Sequence, residues 1–343
     1  MQIRDVALLL LTFVLSLLLA LYGTPIARAA AIKFGIVDRP NGTLKVHKEP
    51  VPYLGGLAIY MAFLLSVSLT FGFSQELLGI LLGATIIVLL GLIDDFGVLT
   101  PEVKFMGQAI AAFVLIKSGT LINLVFIPYW LRVFLTVLWV VGVTNAFNII
   151  DVLDGLSAGV ATVASVTLGV VALMNGKIMV AMMAFSLAGA ALGFLRYNFA
   201  PAKIYMGDTG SMFLGFTLAA LSIGNTIGSY TKINVYGFVA PVLILGAPIF
   251  DTLFVMFLRF RRGMSVFHGS NDHFAIRLKR IGWPARKIAV VSYVASALLS
   301  IWAIALVRVS YPPIVYALIG ALPVVALTLS YLLARIKVEK SGG

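Results

Sequence analysis

Residues 77–93 read LLGILLGATIIVLLGLI, and the four that follow are Asp94-Asp95-Phe96-Gly97. An uncharged apolar run of this length is about the shortest that crosses a hydrocarbon core as an α-helix. The run therefore predicts a transmembrane helix whose last turn carries two adjacent carboxylates. Similar stretches lie near residues 5–23, 54–73, 104–117, 128–146, 156–174, 178–195, 211–229, 235–257, 288–307 and 313–334. Gly, Pro, Asn and charged residues mark the breaks between them. The stretch at 104–117 is short, and is read as tilted or as joined to the apolar segment at 121–127.

Composition agrees with that reading. Of the 343 residues, 61% are hydrophobic and only 11% charged, whereas a soluble domain carries about 25% charged residues. A mean hydropathy of +1.06 leaves too little polar surface to coat a soluble globule. There are no cysteines, which excludes both a disulfide framework and a thiolate metal site. The N-terminal run is basic and then apolar, with no small-residue cleavage site before Arg28, so it is expected to be a retained first helix. No repeat, low-complexity tract or linker interrupts the chain. The expectation is an all-α integral membrane protein of about eleven transmembrane helices, forming one domain over residues 1–343.

Lysine and arginine set the orientation. With the N-terminus outside, nineteen of the twenty-five Lys and Arg residues fall on inside segments. Arg4, Lys117, Arg132, Lys177, Lys232 and Arg308 are left outside. The C-terminus is then cytoplasmic. The net charge of +12 suits anionic lipid or a phosphorylated substrate. Nucleic acid is not an expected partner, because no basic soluble domain exists to bind it.

Eleven of the thirteen acidic residues share the inner side, Asp5 and Glu76 being the exceptions. A carboxylate at the bilayer centre costs roughly 2.5–3.5 kcal/mol, and less near the interface, so several at helix ends on one side suggest a shared polar cavity. Asp94 and Asp95 can bind a divalent cation or accept a proton; the plainer reading is a solvated helix end before the stop at Pro101. Negative charge at a helix C-terminus opposes the macrodipole and counts against that plainer reading. In Asn145-Ala-Phe-Asn148-Ile-Ile-Asp151-Val-Leu-Asp154-Gly155-Leu156, polar residues recur at every third position. On a straight helix that spacing sweeps around the circumference, so a break with a turn at Asp154-Gly155 is expected. Such a stripe can hold a metal and a polar ligand; a seam between helices would more naturally use Ser or Thr.

Tyr205-Met206-Gly207-Asp208-Thr209-Gly210-Ser211 opens a span. Asp208 or Thr209 would make a good N-cap. The same helix N-terminus attracts phosphate, and Asp208 can bridge to it through Mg²⁺. The basic loop from Arg259 to Lys287 contains His268, Asp272, His273 and Arg277. His273 and Arg277 share a face if helical. Lys279, Arg280, Arg286 and Lys287 read as interfacial cations over anionic lipid. Lys48 precedes the rigid segment Glu49-Pro50-Val51-Pro52, and Gly55-Gly56 permits close helix packing. Asp251 lies deeper and needs a partner or water.

The ordered set VPYLGGLAIY, DDFG, NAFNIIDVLDGL, YMGDTGSMFLG and DHFAIRL, spread over about residues 45–287, resembles the polyprenyl-phosphate N-acetylhexosamine-1-phosphate transferases. That family includes phospho-MurNAc-pentapeptide translocase and the enzymes that start O-antigen and teichoic-acid linkage units. The combination NxxNxxDxxDGL with GDTGS is specific to it; the Asp pair alone is not. The resemblance implies ten or eleven helices in a bacterial cytoplasmic membrane and an active site on the cytoplasmic face. It implies that undecaprenyl phosphate attacks the β-phosphorus of a UDP-N-acetylhexosamine, releasing UMP. It also implies Mg²⁺, with Mn²⁺ as a substitute, and allows a homodimer.

Carried over by motif, Asp208 and Asn148 are the expected metal ligands. Asp94 would orient or deprotonate the lipid phosphate, with Asp95 in support. Asp151 and Asp154 would line the nucleotide pocket, Asp154 at the uracil, while Lys48, His273 and Arg277 would hold phosphates. The direct displacement is preferred over an aspartyl intermediate, because a lipid phosphate is already an anionic nucleophile. One departure bears on the donor. Many members carry His-x-His-His in the basic loop, and here the stretch is His273-Phe274-Ala275-Ile276-Arg277. That argues against the pentapeptide donor and for UDP-GlcNAc. Two alternatives stand beside this reading: a transferase for the phospho-MurNAc-pentapeptide or another UDP-amino-sugar donor, and a membrane transporter with an acidic coupling site. The transporter would call for repeated halves and acids at bilayer depth.

Overall fold

A computed structural model describes residues 2–38, 50–70, 72, 74–124, 127–226, 236–265, 272–308 and 312–336. Among them the chain is almost wholly helical, as the apolar runs predict. The helices are α1 (Ile3–Lys33), α2 (Gly55–Thr70), α3 (Gln75–Asp95), α4 (Pro101–Lys117), α5 (Tyr129–Ile150), α6 (Leu156–Met174) and α7 (Ile178–Asn198). They continue with α8 (Gly207–Thr226), α9 (Tyr236–Ile244), α10 (Gly246–Arg261), α11 (Phe274–Arg280), α12 (Ala285–Arg308) and α13 (Pro312–Ala334). The strands described are two short ones, β1 (Val37–Asp38) and β2 (Val51–Pro52), paired antiparallel with Val37 opposite Pro52.

Among the described residues, six helices are long and apolar enough to cross a membrane: α1, α3, α5, α6, α7 and α12 over Ala285–Leu306. The apolar segments Gly55–Thr70 and Ile319–Ala334 are shorter. Large apolar side chains face outward, Leu69 at 73% and Leu327 at 70% exposure. Such faces would be an aggregation hazard in water and are ordinary against lipid. The expected span at 235–257 is divided at Leu245 into α9 and α10. Pro248 lacks an N–H to give the carbonyl of Ile244, four residues back, so the ladder is interrupted there.

The bundle is built around α8. It packs against α3, α5, α2 and α6, while α1, α7 and α2 form an adjoining layer. An apolar helix surrounded on all sides buries its whole circumference, and Met212, Phe213, Leu214, Phe216, Leu218 and Leu221 are fully buried. Glycines set how closely the neighbours approach. A Cβ built on Gly91 of α3 would lie 2.5 Å from Thr209 Cα, and one on Gly215 would lie 2.7 Å from Thr144 Cα of α5. Gly56 of α2 meets the backbone of Gly210 in the same way. The segment ahead of α2 is tied to the start of α8, Gly55 N–H donating to Tyr205 O at 3.0 Å and Gly56 N–H to Met206 O at 2.9 Å. This packing brings the C-terminal ends of α3 and α5 to the N-terminal end of α8.

Candidate functional site

At that meeting point the DDFG segment ends α3 in a left-handed glycine turn, Gly97 having φ of 71° and donating to Asp94 O at 2.7 Å. The two carboxylates do different things. Asp95 turns to the N-terminus of α8. Its Oδ1 accepts the amide of Asp208 at 2.6 Å, and its Oδ2 accepts the Thr209 amide at 3.2 Å and the Thr209 hydroxyl at 2.6 Å. A carboxylate here satisfies orphan amides and complements the positive helix end. Thus α8 is capped from another helix, in place of the cap expected from Asp208 or Thr209. These two amides, anticipated as phosphate donors, already serve Asp95. Gly207 permits the approach: its φ is 67°, and a Cβ there would lie 2.5 Å from Asp95 Oδ1.

Asp94 faces Lys104 of α4 instead. The Lys104 ammonium lies 2.5 Å from Asp94 Oδ2, 2.6 Å from Asp208 Oδ2 and 3.3 Å from Asn148 Oδ1. Asn148 in turn donates to Asp208 Oδ1 at 2.9 Å and to Ser211 Oγ at 3.0 Å. Oxygens from α3, α5 and α8 therefore converge on one cationic nitrogen. Sequence reasoning counted Lys104 only towards orientation. The signal that could have found it is a pair of matching polar ladders. Lys104 and Gln108 lie one turn apart on α4, and Asn148 and Asn145 lie nearly one turn apart on α5. Asn145 donates to Gln108 Oε1 at 2.6 Å, so Asn145 belongs to the seam between helices and Asn148 to the site.

The expected break after α5 is present. Asp151 follows the last turn, Leu156 N–H closes on Leu153 O at 3.0 Å, and Gly155 takes φ of 76°. The turn is held from three sides: Gly155 N–H donates to Asn198 Oδ1 at 3.0 Å, Tyr293 OH donates to Gly155 O at 2.6 Å, and Ala202 N–H donates to Asp154 Oδ2 at 2.9 Å. Asp94, Asp95, Asn148, Asp151, Asp154 and Asp208 all line a cavity of about 1030 Å³. Asp38 of β1, Tyr53, Tyr205 and Lys279 also line it. Burial, followed by the charges of Asp208, Asp154 and Asp95, raises the Asp151 carboxyl to about 8. Burial, with the nearby Asp154, Asp38 and Asp151, pushes the Tyr205 hydroxyl up to about 12, so it remains a proton donor.

The basic loop is arranged differently from expectation. His273 and Arg277 do not line this cavity; other groups engage both. His273 Nδ1 lies 2.7 Å from Asp251 Oδ2, and Asp251, fully buried on α10, also accepts the Phe274 amide at 2.9 Å. Asp251 thereby gains the partner its depth requires. Arg277 is 1% exposed and donates to Asp272 Oδ1 at 2.6 Å and to the carbonyls of Leu333 and Ile336 at 3.2 and 2.5 Å. It staples α11 to the end of α13. Among the described residues, the basic-loop residue on the cavity wall is Lys279, expected only to face lipid. Lys48 and His268 lie outside the described residues.

An acidic cavity of this kind suits phosphorylated ligands only with added positive charge. Among the described residues no three Asp, Glu or His side chains form a ready-made metal cage. The point where two carboxylates and an amide oxygen meet is already occupied by a cationic group, and an all-oxygen set of this kind suits Mg²⁺.

Residues 77–225, which carry most of this wall, match glycosyl transferase family 4. A Bacillus subtilis (strain 168) protein named probable undecaprenyl-phosphate N-acetylglucosaminyl 1-phosphate transferase is 39% identical over 308 residues, covering 87% of this chain and 85% of its own. The decaprenyl-phosphate N-acetylglucosaminephosphotransferase of Mycobacterium tuberculosis (strain ATCC 25618 / H37Rv) is 32% identical, over 85% of this chain and 80% of its own. The undecaprenyl-phosphate alpha-N-acetylglucosaminyl 1-phosphate transferase of Salmonella typhimurium is 30% identical, over 80% and 77%. The family match covers most of the cavity wall, and with relatives similar over most of their length the chain belongs to glycosyl transferase family 4.

Proposed function

We propose that this protein transfers N-acetylglucosamine 1-phosphate from UDP-N-acetylglucosamine to undecaprenyl phosphate, releasing UMP and starting a cell-envelope polysaccharide. The observation that carries the reading is the convergence of Asp94, Asn148 and Asp208 oxygens in the wall of an acidic cavity, in a chain 39% identical to a relative named for this transfer. An oxygen of the lipid phosphate attacks the β-phosphorus, and the bond from that phosphorus to the UMP oxygen breaks. The electron pair leaves with UMP.

The chain's own groups divide the work. Asp208 and Asn148 would hold the cation, with Asp94 facing the same point. The chemistry that Mg²⁺ would supply there is neutralisation of the diphosphate and stabilisation of the departing UMP. Asp94 orients the lipid phosphate or takes its proton. Asp95, by capping α8, positions Asp208. Asp151 and Asp154 serve the nucleotide end, where the Asp154 carboxylate is already oriented by the Ala202 amide. Lys279, and Lys48 on the resemblance alone, bring positive charge to the phosphates. His273 and Arg277 act through the loop they anchor.

The finer topology belongs to the same proposal: about eleven spans, the N-terminus outside, the cavity cytoplasmic, and the whole chain one unit able to pair as a homodimer. The acceptor's hydrocarbon tail then reaches the cavity from within the bilayer. The test uses purified protein in detergent with undecaprenyl phosphate and Mg²⁺, measuring UMP release over a panel of UDP-sugars. Release with UDP-N-acetylglucosamine is expected. No release with any donor removes the enzyme reading, and release with the MurNAc-pentapeptide donor alone overturns the assigned sugar.

A further inference from the structure

We infer that Lys104 is a built-in counter-ion for the cation site: it holds Asp94, Asn148 and Asp208 together without a divalent cation, and the arriving cation displaces it. This rests on the proposal that those three side chains face a divalent cation. The reasoning starts from repulsion. Asp94 and Asp208 come from different helices and approach one nitrogen at 2.5 and 2.6 Å. Two carboxylates that close repel each other in a partly dehydrated setting unless a cation lies between them. The lysine that supplies it is only 17% exposed, so the pairing is not an ordinary surface ion pair.

An ammonium offers three donors, and here they meet three oxygens: Asp94 Oδ2, Asp208 Oδ2 and Asn148 Oδ1. A divalent cation would draw on the same oxygens, and two cations cannot share the point. The lysine stem is flexible enough to withdraw while its Cα stays in the first turn of α4. Pro101 begins that helix, and Gln108 pins its next turn to Asn145, so the backbone beneath Lys104 is fixed. Lys104 therefore keeps the site preformed and sets how tightly the metal binds, since binding includes breaking the two ion pairs.

The test measures Mn²⁺ binding by electron paramagnetic resonance on the full chain in detergent, without either substrate. Lys104→Met is expected to tighten binding roughly tenfold or more, the scale of removing a competing cation from partly buried carboxylates. Lys104→Arg, which keeps the charge, should bind no more tightly than the wild type. If the Met variant does not fold without cation, the wild type decides. Amine acetylation read by mass spectrometry should then rise at Lys104 when Mn²⁺ is added. Equal or weaker Mn²⁺ binding in Lys104→Met, or no rise in Lys104 labelling, overturns the inference. Loss of binding in Asp208→Asn with Lys104→Met unchanged would sink the counter-ion role alone. Absence of Mn²⁺ binding in every form would sink the cation site with it.

Discussion

Asp208 and Asp151 are carboxylates on one cavity wall with opposite surroundings. Asp208 meets an ammonium and an amide donor, Lys104 Nζ at 2.6 Å and Asn148 Nδ2 at 2.9 Å. Asp208→Asn should lower turnover by roughly 100-fold or more while the protein stays folded, as expected for loss of a group aimed at developing charge. UMP release and thermal unfolding measured together check this, and near-normal turnover across Mg²⁺ concentrations would show that the metal lies elsewhere. Asp151 sits outside the helices and is raised from 3.8 to about 8, chiefly by burial. Between those values the folded chain holds a proton that the unfolded chain has lost, so folding stability falls as pH rises across the interval and levels off above it. Asp151→Asn should therefore raise the melting temperature of the cation-free protein, by an increment that grows from pH 4 to pH 8. An increment independent of pH would contradict this account. That Asp151 and Asp154 lie near each other was readable from their spacing. The Lys104 ion pairs were not, because they depend on which face of α4 meets α5.

Among the elements, α8 is the one whose placement decides the site. Its apolar length and its GDTGS start were legible in sequence, as was the break after Ile150. Its cap was not, because Asp95 lies over a hundred residues upstream and reaches the helix only through tertiary packing. The same limit explains His273 and Arg277: a shared helical face was readable, but the partners Asp251, Asp272 and the α13 carbonyls were not. Close approach of α3 to α8 yields a prediction at this scale. In Gly91→Ala the new methyl would meet Thr209 Cα at 2.5 Å and Thr209 N at 2.6 Å. Overpacking of this kind costs about 1–3 kcal/mol, and here the strain falls beside Asp208. Unfolding in detergent should shift down, and UMP release should fall by more than the loss of folded protein accounts for. A variant with wild-type turnover per folded molecule would show that α8 tolerates displacement.

For the whole molecule, the charge distribution predicts an orientation with the cavity on the cytoplasmic side. Lys279 lies on the cavity wall, whereas Lys177 sits at the start of α7 and donates to Gly224 O, near the end of α8, at 2.6 Å. These positions mark opposite ends of the bundle. The chain has no cysteine, so a single introduced one reports without background. On intact cells a membrane-impermeant maleimide should label Lys177→Cys and spare Lys279→Cys until the membrane is opened. The reverse pattern would invert the topology. Helix number was legible only approximately, since Pro248 divides one predicted span.

The central position of α8 also bears on how the protein is made. Helices α2, α3, α5, α6 and α7 all contact it, and all are synthesised first. Until residues 207–226 have left the ribosome, those five enclose no common core and the Asp95 carboxylate of α3 has no helix end to grip. A nascent chain stopped before that point should hold two packed groups, α1 with α2, α6 and α7, and α3 with α4 and α5, with little to join them. Arrival of the eighth helix would then be the step that turns inserted segments into an enzyme.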